Sequence, residues 1–96
     1  MCALAKFKLT IMDPDSIIYK NNVTTLFVPG DNGDFELLSY HYPVLCLLRA
    51  DSDLIINWKE VVTAKKGIVR FFKNDCVAIV ELRDDFEGYY PDLFKE

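Results

Sequence analysis

Apolar and polar positions alternate along most of this chain. From Lys6 to Met12, Phe7, Leu9 and Ile11 share one face while Lys6, Lys8 and Thr10 share the other. That period of two predicts a half-buried strand. Asp13-Pro14-Asp15-Ser16 ends it with turn residues, Ser16–Lys20 gives a short second strand, and Asn21-Asn22 turns the chain again. Val23–Val28, rich in β-branched and aromatic residues, predicts a third. Phe35–Leu38 is a short candidate. Val44–Arg49 is apolar throughout, the pattern of a strand buried on both faces. Leu54–Trp58, Glu60–Lys65, Ile68–Lys73 and Cys76–Leu82 come next, with bends expected at Trp58-Lys59, Lys66-Gly67 and Asn74-Asp75. No segment holds a helical period over ten residues. Strands spaced this evenly, with turn signals between them, predict an all-β sandwich or barrel.

Two of the strands carry more apolar surface than a sandwich needs. In Ile68–Lys73 one face holds Ile68 and Phe72, the other Val69 and Phe71. In Cys76–Leu82 one face holds Cys76, Ala78, Val80 and Leu82, the other Val77 and Ile79. A packed sheet buries one face. The surplus goes into a barrel-like wrap, under the chain's own closing segment, or against a partner.

Between the third strand and Val44 lies an elbow. Pro29-Gly30 suits one turn and Asn32-Gly33 a second, so two close reversals are expected to display a polar cluster on a rigid base. The cluster holds Asp31, Asp34, Glu36 and the sole histidine, His41. Paired carboxylates serve acid–base chemistry or a hard cation, but acids in a turn are more often solvated. A Cys46–His41 nucleophile pair is formally available, with nothing in sequence to orient the histidine. One histidine cannot build a histidine metal cluster. The glycines fit no phosphate loop or dinucleotide fingerprint. No catalytic, cofactor or metal site is assigned, and an independent enzyme is not expected.

Composition narrows the rest. Ninety-six residues make one domain, and 51% apolar against 27% charged residues describes a folded chain. Eleven basic and fifteen acidic residues give a net charge of −4 with no basic run, so nucleic acid is not an expected partner. Cys2, Cys46 and Cys76 have no metal-type spacing, and an odd number argues against a disulfide framework. Apolar runs such as Val44 to Leu48 reach only five residues, too short to span a bilayer. A signal-peptide pattern is lacking at the N-terminus. A cytoplasmic protein without direct membrane insertion is expected. Residues 84–96 change character: Asp84, Asp85, Glu87, Asp92 and Glu96 are interleaved with Phe86, Tyr89, Tyr90, Leu93 and Phe94. The chain is therefore divided into a sandwich domain, 1–83, and a short acidic, aromatic segment, 84–96.

Four stretches together resemble a known family. They are Phe7–Asp15, Val23-Thr24-Thr25-Leu26-Phe27-Val28-Pro29-Gly30, Gly33-Asp34-Phe35, and His41-Tyr42-Pro43-Val44-Leu45. Their order and spacing resemble the N-terminal domain of the bacterial F-type ATP synthase epsilon subunit, the counterpart of the mitochondrial delta subunit. Looser likeness continues through Lys66-Gly67-Ile68 and Val77–Val80. Glu36 stands where the family has glycine, and Ser39 where it has proline. The resemblance implies a ten-stranded β-sandwich of two packed sheets in the central stalk. It implies a non-catalytic rotor subunit that binds gamma and rests on the c-ring loops, peripheral on the inner membrane, coupling ion translocation to ATP synthesis. By position the c-ring contact falls on Asp34, Phe35, Glu36, Tyr40 and His41. Val69, Phe71, Val77 and Ile79, or the opposite set, are the candidates for gamma. Gly88 and Pro91 interrupt the closing segment, so the family's C-terminal helical hairpin, with its inhibitory role, is not expected. The alternative is a stand-alone β-sandwich binding module on the same scaffold.

Overall fold

A computed structural model of the chain describes residues 5–82. The segment 84–96 and Cys2 lie outside the described residues. Eight strands are present: β1 (Phe7–Met12), β2 (Ile17–Val23), β3 (Thr25–Gly30), β4 (Gly33–Leu38), β5 (Val44–Leu47), β6 (Ser52–Ile56), β7 (Glu60–Phe72) and β8 (Asp75–Leu82). There is no helix among the described residues. The strands form one continuous sheet in the order β2-β1-β8-β7-β6-β3-β4, with β5 pairing β7 off that path. Only β1 and β8 run parallel among the paired strands.

The strand that organises the sheet is β7. Its first half pairs β6 (Ala64 opposite Ser52), and its second half pairs β5 (Val69 opposite Cys46). Along the other edge β8 runs from Asp75 opposite Phe72 to Leu82 opposite Ala64, with a register shift between Ala64 and Lys66. Such a bulge bends a strand and raises its twist. The strand therefore serves two arms. One is β2-β1-β8 with the second half of β7 and β5; the other is the first half of β7 with β6, β3 and β4. Both arms feed a single core: Phe7, Leu9 and Ile11 from β1 and Val69, Phe71, Cys76 and Ala78 from β7 and β8 meet Leu26, Val28, Leu37, Leu54 and Ile56. Phe7 and Phe71 stack edge to face at 5.2 Å. The shortest molecular dimension, 21 Å, suits two layers whose separation is typically about 10 Å.

Four expectations need correction. The described residues hold eight strands, not ten. Glu60–Lys65 and Ile68–Lys73 merge into one strand of 13 residues, Glu60–Phe72, because Lys66 and Gly67 stay paired with Glu81 and Val80 and the only irregularity is the bulge at Lys65. A Cβ at Gly67 would lie 2.7 Å from the Ile79 carbonyl oxygen and 3.0 Å from Leu48 and Val80 side chains, so the glycine serves close packing. Asn21-Asn22 lies inside β2; the chain bends at Thr24 instead, passing from one arm to the other. There the Asn57 side-chain oxygen accepts bonds from Thr24 N (2.9 Å), Thr24 Oγ1 (2.9 Å) and Thr25 N (3.2 Å). Finally, β5 is buried on one face only, since Leu45 and Leu47 are 69% and 60% exposed. It is an edge strand with nothing over its outer side among the described residues.

Candidate functional site

The elbow holds one reversal rather than two. Pro29-Gly30 stays in β3, and Gly30 pairs with Gly33 across a two-residue turn at Asp31-Asn32. Gly33 takes the positive φ, 140°, that a side chain would resist. Past the turn, alternate residues of β4 separate. Asp34, Glu36 and Leu38 face outward, while Leu37 is fully buried and Phe35 partly so.

Both outward acids are already engaged. Asp34 forms an ion pair with Arg49, whose guanidinium also reaches the Gly30 carbonyl. Glu36 accepts the Trp58 indole N–H at 2.8 Å, and that indole packs at 5.5 Å on Phe27, the cross-strand neighbour of Glu36. Neither Arg49 nor Trp58 was singled out from the sequence. Pairing across 15 and 22 residues is visible only once β3, β4 and β6 are in register.

Tyr40 and His41 sit beyond the other end of β4, which alone puts about 13 Å between Asp34 and Leu38 at a strand's rise. Asp34 and Glu36 therefore lie along the strand's outer face and Tyr40 beyond its end, while the His41 ring returns to within 6.4 Å of the Phe35 ring. Tyr40, at φ 66°, gives its N–H to Asn74 Oδ1 in the β7–β8 turn. Asn74 Nδ2 donates to Ser39 Oγ at 3.0 Å. The serine that replaces the family proline is thus tied in by a side-chain bond. His41 lies among Phe35, Tyr42 and Phe71, with ring centroids 6.4, 4.6 and 5.9 Å away, and its Nδ1 is 2.8 Å from Tyr42 O. Its surroundings are those of a loop anchor.

The four gamma candidates are split between faces. Val69 and Phe71 are fully buried in the core, so they are not available as a docking surface. Ile79 is 45% exposed and Val77 half-buried, both on the outward side of β8. Strand register shows what the outward side offers. Ile17 pairs Met12, Met12 pairs Ile79, Ile79 pairs Ile68, and Ile68 pairs Leu47. These form an apolar row across five strands, with Ile17 and Leu47 exposed at its ends. Beside it a groove of about 550 Å³ is lined by Leu47, Leu48, Gly67, Ile68, Ile79 and Val80, with Pro14, Lys66 and Glu81 at its rim. The two-faced apolar pattern of β7 and β8 signalled the surplus. Ile68 belongs to the opposite candidate set; Ile17, Met12 and Leu47 were missed, because their alignment depends on the pairing of β2, β1 and β5 with distant strands.

Nucleophilic chemistry finds no support in the thiols. Burial pushes the Cys46 thiol up, and burial first, then Asp75, pushes Cys76 to about 12. Both are held protonated, the reverse of an activated nucleophile. Among the described residues no group of three or more potential metal-ligating side chains comes together, and no helix is long and apolar enough to cross a membrane.

Comparison with known proteins agrees with this architecture. The family model of the ATP synthase delta/epsilon chain β-sandwich domain matches residues 6–82. The ATP synthase epsilon chain of a Nitratiruptor species is 31% identical over 84 residues, covering 84% of this chain and 65% of that protein. That of Sulfurimonas denitrificans is 27% identical over 77 residues, covering 69% of this chain and 59% of that protein. This chain thus spans about three-fifths to two-thirds of the length of these relatives. Two solved assemblies contain a chain of the same fold. One is the central stalk and c-ring of Tetrahymena thermophila mitochondrial ATP synthase, with TM-score 0.66 and 16% identity over 80% of this chain and 64% of that one. The other is the OSCP/F1/c-ring part of the Euglena gracilis mitochondrial enzyme, with TM-score 0.70 and 14% identity over 93% of this chain and 63% of that one. With all eight described strands and the whole described core inside the matched span, this chain belongs to the ATP synthase delta/epsilon chain family through its β-sandwich domain.

Proposed function

We propose that this protein is a non-catalytic rotor subunit of an F-type ATP synthase, holding gamma on one face, touching the c-ring loops at one end, and coupling ion translocation to ATP synthesis. The observation that carries the reading is the apolar row from Ile17 to Leu47 on a sandwich of the delta/epsilon family. A row this wide, left bare, is what a protein partner buries. Gamma is therefore placed on Ile79, Ile68 and Leu47, with Val77 beside them, and Val69 and Phe71 supporting the row from the core. The chain is peripheral on the membrane through the complex.

The c-ring contact is assigned to the outward edge of β4. Asp34 meets basic loop residues by exchanging or sharing Arg49, and Glu36 lies two residues along the same face. Phe35 braces the strand from beneath. Tyr40 and His41, beyond the end of β4, extend that contact, His41 through its packing on Phe35. Half-exposed charges of this kind set orientation and encounter rate more than affinity.

The test is co-expression with the gamma subunit of the same cell, followed by size-exclusion chromatography. A stable complex is expected. Ile79→Asp should weaken it by roughly thirtyfold or more, the loss of one central apolar anchor worth about 2 kcal/mol or more. Failure of the unmodified chain to bind gamma overturns the reading. It would favour the stand-alone binding module, which the internal ties of Asp34 and Glu36 also suit.

A further inference from the structure

We infer that residues 83–96 of this same chain cover the apolar row when gamma is absent. The row and its groove are bare over the described residues, and the described chain ends beside them. Glu81, on the groove's rim, is one residue before Leu82. The closing segment has the matching chemistry. Phe86, Tyr89, Tyr90, Leu93 and Phe94 offer apolar contact, and Asp84, Asp85 and Glu87 offer negative charge. At the groove, Lys65 and Lys66 share the single carboxylate of Glu81, at 3.9 and 3.5 Å, which leaves one positive charge over.

Reach is sufficient. Four strand-to-strand steps from Ile17 to Leu47 span about 19 Å at the usual spacing, and nine extended residues from Phe86 to Phe94 cover about 30 Å. Arg83–Asp85 leave three residues between Leu82 and Phe86 in which the chain can reverse. Gly67 leaves the groove floor without a side chain between Leu48 and Val80. The segment and gamma then claim one surface, so assembly displaces the segment. That second step rests on the proposed gamma docking; the first does not.

The experiment uses the full chain without gamma. Methyl groups of Ile17, Leu47, Ile68 and Ile79 should show nuclear Overhauser contacts to aromatic protons of residues 86, 89, 90 and 94. Asp84→Lys/Asp85→Lys/Glu87→Lys should weaken these contacts, and Phe86→Ser/Tyr89→Ser/Tyr90→Ser should abolish them with the rest of the spectrum unchanged. No contact in the unmodified chain overturns the inference. So do contacts seen only between differently labelled copies, which mark a second copy as the occupant. Adding gamma should erase the contacts. If they persist while gamma binds, gamma sits elsewhere, and the proposed gamma surface fails while the segment's docking stands.

Discussion

The two outward faces of this sandwich are built by opposite rules. On the arm of β2, β1, β8, β7 and β5, Ile17, Met12, Ile79, Ile68 and Leu47 line up with no polar side chain between them. On the arm of β6, β3 and β4, apolar groups are also exposed, Trp58 at 56% and Leu38 at 50%. There, however, they are interleaved with polar ties: Asp34 to Arg49, Glu36 to Trp58, and Asp53 to Thr63 at 2.7 Å. A surface whose polar groups already have partners within the chain is stable against water. A surface with none gains only when something covers it. The difference separates the face that awaits a partner from the one that can stand in solvent.

The severest way to break the contrast is to remove what both faces rest on. Phe71→Ala takes a fully buried ring from beneath the row, where it stacks on Phe7. It should cost about 3–5 kcal/mol in denaturant unfolding. Gamma binding should fall with it, and a variant that stays fully stable would mean the two arms do not share one core.

Next in size is an alkaline limit set by the apolar arm. The Cys76 thiol is raised from 9.0 to about 12 in the folded chain. Unfolded thiol ionises first, so the stability that this group confers is complete below pH 9 and falls as pH rises toward 12. The loss should reach a few kcal/mol, on the order expected for a buried thiol. Cys76→Val should flatten that slope relative to the unmodified chain in unfolding measured from about pH 8 to 11, the range in which the unfolded thiol ionises; an unchanged slope removes the claim.

A polar tie is the third target. Asn57, at φ 53°, accepts three bonds from Thr24 and Thr25. Asn57→Gly keeps the backbone angle and deletes the acceptor. It should cost about 1–3 kcal/mol, because two N–H groups lose their partner. Hydrogen exchange at Thr24 and Thr25 should accelerate, while the β8 amides remain protected.

The smallest effect belongs to the exposed pair. Asp34 and Arg49 side chains are each about half exposed, so Asp34→Asn should change stability by less than about 1 kcal/mol, and by less still in high salt. If it changes c-ring association rate without changing stability, the polar face has an orienting role.

The sequence was most informative where one residue pattern decides one structure. Phe7, Leu9 and Ile11 alternate into the core as their period requires, and the all-β class comes from repeated strand signals. Turn chemistry was less reliable. Asn21-Asn22 looks like a reversal but sits in β2, because Asn57 supplies the polar partner that moves the corner to Thr24. Lys66-Gly67 reads as a bend because glycine is a turn residue, yet packing against Ile79 gives it a place inside β7. The proposed docking row was half legible. The two-faced apolar pattern of β7 and β8 announced surplus surface, but inward Val69 and outward Ile79 could be told apart only through register. The Asp34–Arg49 and Glu36–Trp58 ties depend on contacts between distant strands and leave no local signal.

The long strand β7 has a mechanical consequence. Of its 13 residues, Ala64 to Phe72 pair β8 along one edge, while Glu60 to Ala64 pair β6 and Ile68 to Phe71 pair β5 along the other. The two layers are thus joined by continuous backbone as well as by side-chain packing. A force applied at Ile68 reaches Val62 along a single peptide chain braced by its neighbours' hydrogen bonds. Apolar contacts slide under load, whereas covalent bonds and hydrogen-bonded ladders resist shear. A subunit held at one face and dragged at another can in this way turn as one stiff body.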